Sequence, residues 1–246
     1  MQTLDSKVAF VTGGSRGIGA ATVRALAHQG ASVAFTFNSN ETKANALVAE
    51  LEENGLKALA LQADNAENGA VTSAVEAAHA AYGALDIVVN NAGIFDVKPV
   101  LDFTMADYDR TANVNIRAVY EACLAAAHLM SDSGRIINIG STLAVRAPFE
   151  GLTLYSLSKA ALTGLTKALA RDLGPRGITV NIVHPGSTNT DMNPADDEAA
   201  ASQLDMMAIR RFSDPEDVAA LIAWLASPEA RAITGAEYTI DHGANA

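Results

Sequence analysis

Short β-branched runs alternate with longer, alanine-rich amphipathic segments along the whole chain, and this rhythm constrains the fold more than any single motif. Strands are predicted at residues 8–12, 32–37, 58–62, 87–90, 135–139, 178–183 and 237–240. Helices are predicted at 15–29, 41–53, 68–82, 107–131, 153–173 and 215–226. Gly30, Gly55, Gly83 and Gly134 stand where four of these helices stop, as glycine does when a chain leaves a helix through positive φ. The strand runs are apolar on both faces, which marks strands buried inside a parallel sheet. Parallel neighbours joined through helices require right-handed crossovers. The expected fold class is therefore α/β: a doubly wound parallel sheet of about seven strands flanked by helices, in one domain over residues 1–246. An apolar content of 49% supplies a sizeable core, and abundant alanine suits helices packed close to the sheet. Residues 187–210 break the rhythm and carry Asp191, Asp196, Asp197 and Glu198, so they are read as a substrate loop or lid.

Several function classes are disfavoured. A net charge of −11 makes nucleic acid and anionic membranes poor partners. Cys123 is the sole cysteine, so no internal disulfide and no cysteine-based metal site is expected. Residues 1–7 lack a basic stretch followed by an apolar one, and no apolar run is long enough to span a bilayer. A soluble cytoplasmic protein is expected.

Thr12-Gly13-Gly14-Ser15-Arg16-Gly17-Ile18-Gly19 follows the first strand and opens the first helix. Glycine serves where the chain turns tightly and where a side chain would strike a pyrophosphate. The helix N-terminus then offers free N–H groups and partial positive charge to the anion. The spacing is not G-x-G-x-x-G, since Thr22 stands where the third glycine would fall. The order strand, glycines, helix nevertheless points to a dinucleotide and a Rossmann fold. An NAD site places an acid at the end of the second strand to hold the ribose 2′-OH. Here that stretch reads Phe37-Asn38-Ser39-Asn40, with no acid before Glu41. Asn38 and Ser39 can donate to a 2′-phosphate and Arg16 can add a cation, so NADP(H) is preferred over NAD(H). Asp64, with Asn65 beside it, is placed to accept from the adenine amino group, and Asn91-Ala92-Gly93 allows another close backbone approach.

Tyr155 and Lys159 stand i, i+4 and so share one helix face. A free phenol titrates near pH 10, and a nearby ammonium would favour its ionised form. In the reductive direction Tyr155 would give its proton to a forming alkoxide. Ser141 follows the strand at 135–139, at the carboxyl edge of the sheet, where its hydroxyl can hold a carbonyl oxygen.

With these motifs in order the chain resembles a classical short-chain dehydrogenase/reductase over essentially its full length. The matching residues are the glycine loop, Asn90-Asn91-Ala92-Gly93, Asn113-Val114-Asn115, Gly140-Ser141, Tyr155-x3-Lys159 and Pro185-Gly186-Ser187-Thr188-Asn189-Thr190. The resemblance implies a catalytic tetrad of Asn115, Ser141, Tyr155 and Lys159. It implies that the lysine also holds the nicotinamide ribose and that the asparagine positions a water in a proton relay. Asn113 is a rival for the asparagine, but the run from Asn115 matches the family better. The resemblance further implies that Pro185, Gly186, Thr188 and Thr190 grip the nicotinamide, with Ile94 on the same side of the cleft. Two departures stand out. Tyr155 follows Ser141 by fourteen positions, one more than the family leads one to expect, and His184 occupies a place where a small or amide residue is more usual. His184 and His242 are read as structural.

The expected pocket walls are apolar: Ile94, Leu143, Phe149, Leu152, Met192 and Met206, with Phe95, Pro148 and Met207 nearby. Such walls around a Ser–Tyr pair suit a small-molecule ketone or aldehyde with hydrophobic arms. The expected function is an NADPH-dependent carbonyl reductase. The family also includes 3-oxoacyl-ACP reductases, but the segment His128-Leu129-Met130-Ser131-Asp132-Ser133 lacks the cations an acidic carrier needs. A different class remains: the Ser–Tyr spacing, Met207-Ala208-Ile209-Arg210 and residues 235–241 resemble those of a cyclic-di-GMP-binding regulator of biofilm dispersal in the same family. Arg16, Arg146 and Arg210 would then meet its phosphates. By resemblance the assembly expected is a homotetramer, with a homodimer as alternative, paired through small residues such as Ala118, Ala122, Ala125, Ala126, Ala160, Ala161 and Gly164.

Overall fold

In the computed structural model, which describes residues 3–246, seven parallel strands form one sheet in the order β3-β2-β1-β4-β5-β6-β7. Met1 and Gln2, the start of the segment read above for a leader, lie outside the described residues. The strands are β1 (Val8–Val11), β2 (Ser32–Phe37), β3 (Ala58–Gln62), β4 (Ile87–Asn90), β5 (Arg135–Ile139), β6 (Thr179–Pro185) and β7 (Glu237–Ile240). The helices are α1 (Gly17–His28), α2 (Glu41–Glu53), α3 (Ala70–Tyr82), α4 (Met105–Ala112), α5 (Ala118–Leu129), α6 (Thr153–Leu173), α7 (Ala200–Asp205) and α8 (Pro215–Ala226). From β1 the chain winds outward to β3, then returns to lay β4 on the other side of β1 and continues to β7. That reversal opens a crevice beyond the carboxyl ends of β1 and β4, where open α/β sheets bind ligands.

Alternation along each strand divides the core into two layers. In β1, Ala9 and Val11 pack with Val23 and Leu26 of α1 and Val218 and Ile222 of α8. Phe10 points to the other face and packs with Val75 of α3, Ala122 of α5 and Leu162 of α6. Ala118, Ala122, Ala125 and Ala126 are buried within the chain itself, so their small size serves internal packing. Ala160, Ala161 and Gly164 are exposed. No helix among the described residues is long and apolar enough to cross a membrane.

The helix predicted at 107–131 departs from expectation. It begins at Met105, where the Thr104 side chain accepts from Asp107 N while Asp107 accepts from Thr104 N, a reciprocal cap. It is then interrupted by a π turn at Asn113–Arg117 before α5 resumes. The wider turn inserts an extra residue and shifts the helical face, and both Val114 and Asn115 become buried. The predicted lid is also more ordered than a loop. It contains α7, a reciprocal amide pair between Asn193 and Gln203 (3.0 and 2.9 Å), and a small apolar cluster of Ala200, Met207 and Phe212.

A buried polar chain ties the sheet to α6. Asn90 Nδ2 on β4 donates to Asn138 Oδ1 on β5 at 2.8 Å, and Asn138 Nδ2 donates to Thr166 Oγ1 on α6 at 2.9 Å. All three residues are at most 1% exposed, so a lost partner cannot be replaced by bulk water. We expect Thr166→Val, which keeps the shape but removes the acceptor, to lower unfolding free energy by about 1–3 kcal/mol. Calorimetry or denaturant unfolding checks this, and an unchanged melting temperature would count against the network.

Candidate active site

The crevice is a cleft of about 820 Å³ running from the glycine loop to the lid. Its floor is set by contacts between the turns after β1 and β4. Asn91 Nδ2 donates to Thr12 O and Gly13 O at 3.0 and 3.1 Å, while Thr12 Oγ1 accepts from Asn91 N and Ala92 N, each at 3.0 Å. Gly13 N donates to Thr36 Oγ1 on β2 at 2.9 Å. Gly13 and Gly17 have positive φ, and a Cβ on Gly19 would overlap Gly13 O. Arg16 precedes α1 with no side-chain cap, and the first turn of α1 carries no acid. The first N–H groups of the helix therefore face the cleft unopposed, and the cradle fits a pyrophosphate.

At the outer end, Asn38, Asp64 and Asn65 line the cleft, whereas Ser39 does not: it is exposed beyond the wall. Asp64 Oδ1 accepts from Ala66 N at 2.8 Å and so closes its own turn. That turn is braced from the π turn and α5: Arg117 donates to Ala66 O at 2.6 Å, and the Glu121 carboxylate accepts from Gly69 N. Arg16 lines both this cleft and an adjoining groove. There Lys43, on the first turn of α2, pairs with Asp191 of the lid at 2.8 Å and holds that carboxyl below its usual range.

Of the expected tetrad, which arrives from three elements, Ser141, Tyr155 and Lys159 line the cleft, whereas Asn115 is 0% exposed and lies behind the wall formed by Gly93 and Ile94. The π turn delivers Asn115, which accepts from Ile94 N at 2.9 Å and donates to Ile94 O and Ser158 Oγ, both at 3.0 Å. A Cβ on Gly93 would approach Asn115 Oδ1 at 3.2 Å and Lys159 Nζ at 3.4 Å, so glycine lets both side chains reach the cleft wall. Lys159, 5% exposed, donates to Ile139 O at 2.9 Å at the end of β5. Ser141 follows β5, and its Oγ accepts from Leu143 N at 3.1 Å. Tyr155 lines the cleft beside Ser141, and Phe95 stacks edge-on against the phenol ring with centroids 4.7 Å apart.

The electrostatics differ from the simple expectation of an ammonium beside a phenol. Burial pushes the Tyr155 pKa up, and the Ser141 hydrogen bond offsets only part of this. Lys159 Nζ lies 5.9 Å from the phenol ring centroid, bonded to a carbonyl instead, and burial lowers its own pKa to about 8. Desolvation sets the direction for both groups.

Ile94, Leu143, Phe149, Met192 and Met206 line the substrate end, as do Pro185, Gly186, Thr188 and Thr190 on the β6 side. Leu152 does not: it is 2% exposed and is the last residue before α6, packed away from the cleft. Ala244 and Asn245 line the same end, which the sequence reading missed. Asn245 Nδ2 donates to Thr142 O at 3.0 Å, and Arg146 donates to Ala244 O at 2.8 Å. No periodicity or motif in the last six residues announces this.

The chain matches a family model described as Enoyl-(Acyl carrier protein) reductase over residues 13–245. It is 44% identical over 241 residues to the cyclic-di-GMP-binding biofilm dispersal mediator protein of Escherichia coli (strain K12), with 98% of each chain covered. It is 38% identical over 246 residues to a 3-oxoacyl-acyl-carrier-protein reductase of Synechocystis sp., covering 99% of this chain and 98% of that one. It superposes at a TM-score of 0.98 on the crystal structure of a short-chain dehydrogenase from Burkholderia cenocepacia J2315 in complex with NADP. That match is 55% identical and covers 99% of this chain and 100% of the other.

The buried Lys159 makes stability depend on pH. In the unfolded chain its pKa is near 10.4, against about 8 in the folded protein. The folded state thus binds fewer protons between these values, and the penalty of a buried ammonium, up to about 3 kcal/mol, is relieved as pH rises. We expect Lys159→Met to gain on the wild type at pH 7 and to lose that relative gain between about pH 8 and pH 10.4. Melting temperatures of both proteins across this window provide the check, and a difference that does not move with pH would refute it.

Proposed function

The chain belongs to the classical short-chain dehydrogenase/reductase family, and on that premise we propose that it is an NADPH-dependent carbonyl reductase acting on small ketones or aldehydes. The observation that carries this reading is convergence. Ser141, Tyr155 and Lys159 line one end of a cleft, with Asn115 bonded to Ile94 behind its wall, and the other end is a phosphate cradle.

NADP(H) fits the cleft end to end. The glycine loop and the start of α1 would hold the pyrophosphate. Arg16 and Asn38 stand where a 2′-phosphate would lie, with no carboxylate at the end of β2 to repel it. Lys159 would hold the nicotinamide ribose, and the residues after β6 its carboxamide. The bound nicotinamide supplies the hydride. Ser141 Oγ would donate to the substrate carbonyl oxygen and orient it toward Tyr155. Tyr155, kept protonated by burial, would give its proton to that oxygen as negative charge develops there. Asn115 ties Ile94 to Ser158 and so fixes the wall against which the substrate lies. The water relay implied by the family would begin here. Leu143, Pro148, Phe149, Met192 and Met206 exclude water and favour hydrophobic substituents.

A carrier-bound acyl substrate has less support. Arg176, the cation nearest the end of α5, is tied to Asp132 and to Ala127 O and Met130 O. One observation favours a second reading: the Escherichia coli relative is named for binding cyclic-di-GMP. The cations expected to serve it are dispersed. Arg16 lies at the phosphate end, Arg146 is bonded to Ala244 O at the substrate end, and Arg210 is paired with Asp205. The exposed apolar residues Tyr120 and Leu124 of α5 and Leu157 of α6, beside Ala160, Ala161 and Gly164, support a homo-oligomer, with the homotetramer as our proposal. A cytoplasmic location belongs with the same reading.

NADPH oxidation against a panel of alkyl ketones, aryl ketones, diketones and 3-oxoesters tests the reading. We expect Tyr155→Phe to lower kcat by about 10²–10⁴ while NADPH binding persists. Ser141→Ala should lower it by about 10². Arg16→Ala should cut the preference for NADPH over NADH by about tenfold or more. No turnover of any carbonyl by a protein that binds NADPH would overturn the reading and make cyclic dinucleotides the next ligands to assay.

A further inference from the structure

His184 lies inside the sheet on β6, 1% exposed, and its imidazole is pressed against the backbone of Ser141. Nδ1 is 3.2 Å from Ser141 N and 3.0 Å from Ser141 O. The ring fits because residue 140 is glycine: a Cβ there would overlap Nδ1. On the far side of the ring, Nε2 is 3.4 Å from Glu237 Oε2 on β7. Glu237 is in turn paired with Lys167 of α6 at 2.6 Å and accepts from the Thr163 hydroxyl at 3.4 Å. The reaction above uses the Ser141 side chain and none of these groups.

We propose that His184, oriented by Glu237, is a positioning residue: its neutral ring accepts the Ser141 backbone N–H and fixes the hydroxyl of Ser141, and protonation of the ring releases that hold. The proposal rests on the role given to Ser141 above. A neutral imidazole has one donor and one acceptor. Nε2 makes no hydrogen bond, and the Glu237 carboxylate 3.4 Å away favours the proton there by charge, which leaves Nδ1 to accept. An imidazolium has no acceptor. Its Nδ1–H turns to Ser141 O, and the Ser141 N–H is left without a partner in a buried site. The residue between Gly140 and Thr142 must then re-pitch, and Ser141 Oγ moves off its bond from Leu143 N and its line to Tyr155.

The charged groups facing the ring come from two elements, Glu237 on β7 and Lys159 on α6, with Lys167 neutralising part of Glu237. β5 and the turn after it present only backbone. Burial, with a smaller contribution from Lys159, favours the neutral ring and outweighs the Ser141 carbonyl and Glu237, which both favour the charged one, so the His184 pKa lies below its ordinary value. The hold on Ser141 is therefore present at neutral pH and lost as pH falls below the usual histidine range.

The test compares wild type with His184→Gln, His184→Leu and Glu237→Gln. It follows kcat and KM against pH, and the Ser141 amide resonance in a ¹⁵N–¹H spectrum across the same range. We expect His184→Leu to lower kcat by about tenfold with the KM for NADPH unchanged. His184→Gln, whose side-chain oxygen can accept the same N–H but cannot titrate, should restore most of kcat and lose the acid limb. Glu237→Gln should move that limb to lower pH, because the carboxylate that favours the imidazolium is gone. The Ser141 amide should shift with pH in wild type and stay flat in His184→Gln. A wild-type kcat in His184→Leu, an acid limb retained by His184→Gln, or a Ser141 amide that ignores pH would each overturn the proposal. If wild type reduces no carbonyl, the proposed activity fails. The amide titration then still decides the His184 contact, a moving resonance supporting it and a flat one refuting it.

Discussion

How closely two turns approach each other governs the rest of this molecule. The chain leaves β1 and β4 at the reversal point of the sheet, and Thr12 and Gly13 of one turn meet Asn91 and Ala92 of the other through four hydrogen bonds. No side chain larger than hydrogen fits at Gly19. That closeness aims the start of α1 into the crevice and sets Gly93 and Ile94 against Asn115 and Lys159. Both ends of the cleft, the glycine loop and the wall at Gly93 and Ile94, are consequences of one packing constraint, with the buried Asn90–Asn138–Thr166 chain holding α6 in register behind them.

The reacting end is built at some cost to stability. Lys159 is buried with a backbone carbonyl as its hydrogen-bond acceptor, and Asn115, a polar side chain in a mostly apolar helix, is made tolerable by its bonds to Ile94 and Ser158. Buried polar groups of this kind are expected where a fold gives up stability for function. The same desolvation keeps the phenol protonated at neutral pH, which suits a proton donor in the reductive direction.

Most strands and helices were legible in the sequence because burial on both faces writes near-continuous apolar runs and glycines mark the exits. The π turn was not legible. Nothing in the run Asn113-Val114-Asn115-Ile116-Arg117 marks a wider turn, and the bonds that stabilise it come from Ile94 and Ser158, distant in sequence. The cap at Thr104 and Asp107 was legible in principle from its spacing, yet the helix start was placed too late. Leu152 and Phe149 look alike as apolar residues of one loop, and only the path of the chain into α6 decides that Phe149 faces the cleft and Leu152 the core. Ser39 and Asn38 pose the same problem at the other end. The histidine at position 184 was read as structural, which describes its burial but not its contact with Ser141, formed across the β5–β6 ladder.

The account stands or falls on hydride passing between a nicotinamide and a carbonyl carbon in this cleft. The most direct measurement is isotope transfer from NADPH deuterated at nicotinamide C4, prepared separately for each of its two faces, to a ketone that the protein reduces. The account predicts deuterium on the carbinol carbon of the alcohol from one labelled cofactor and none from the other, because the cleft presents a single face. Alcohol carrying no deuterium from either cofactor would contradict it.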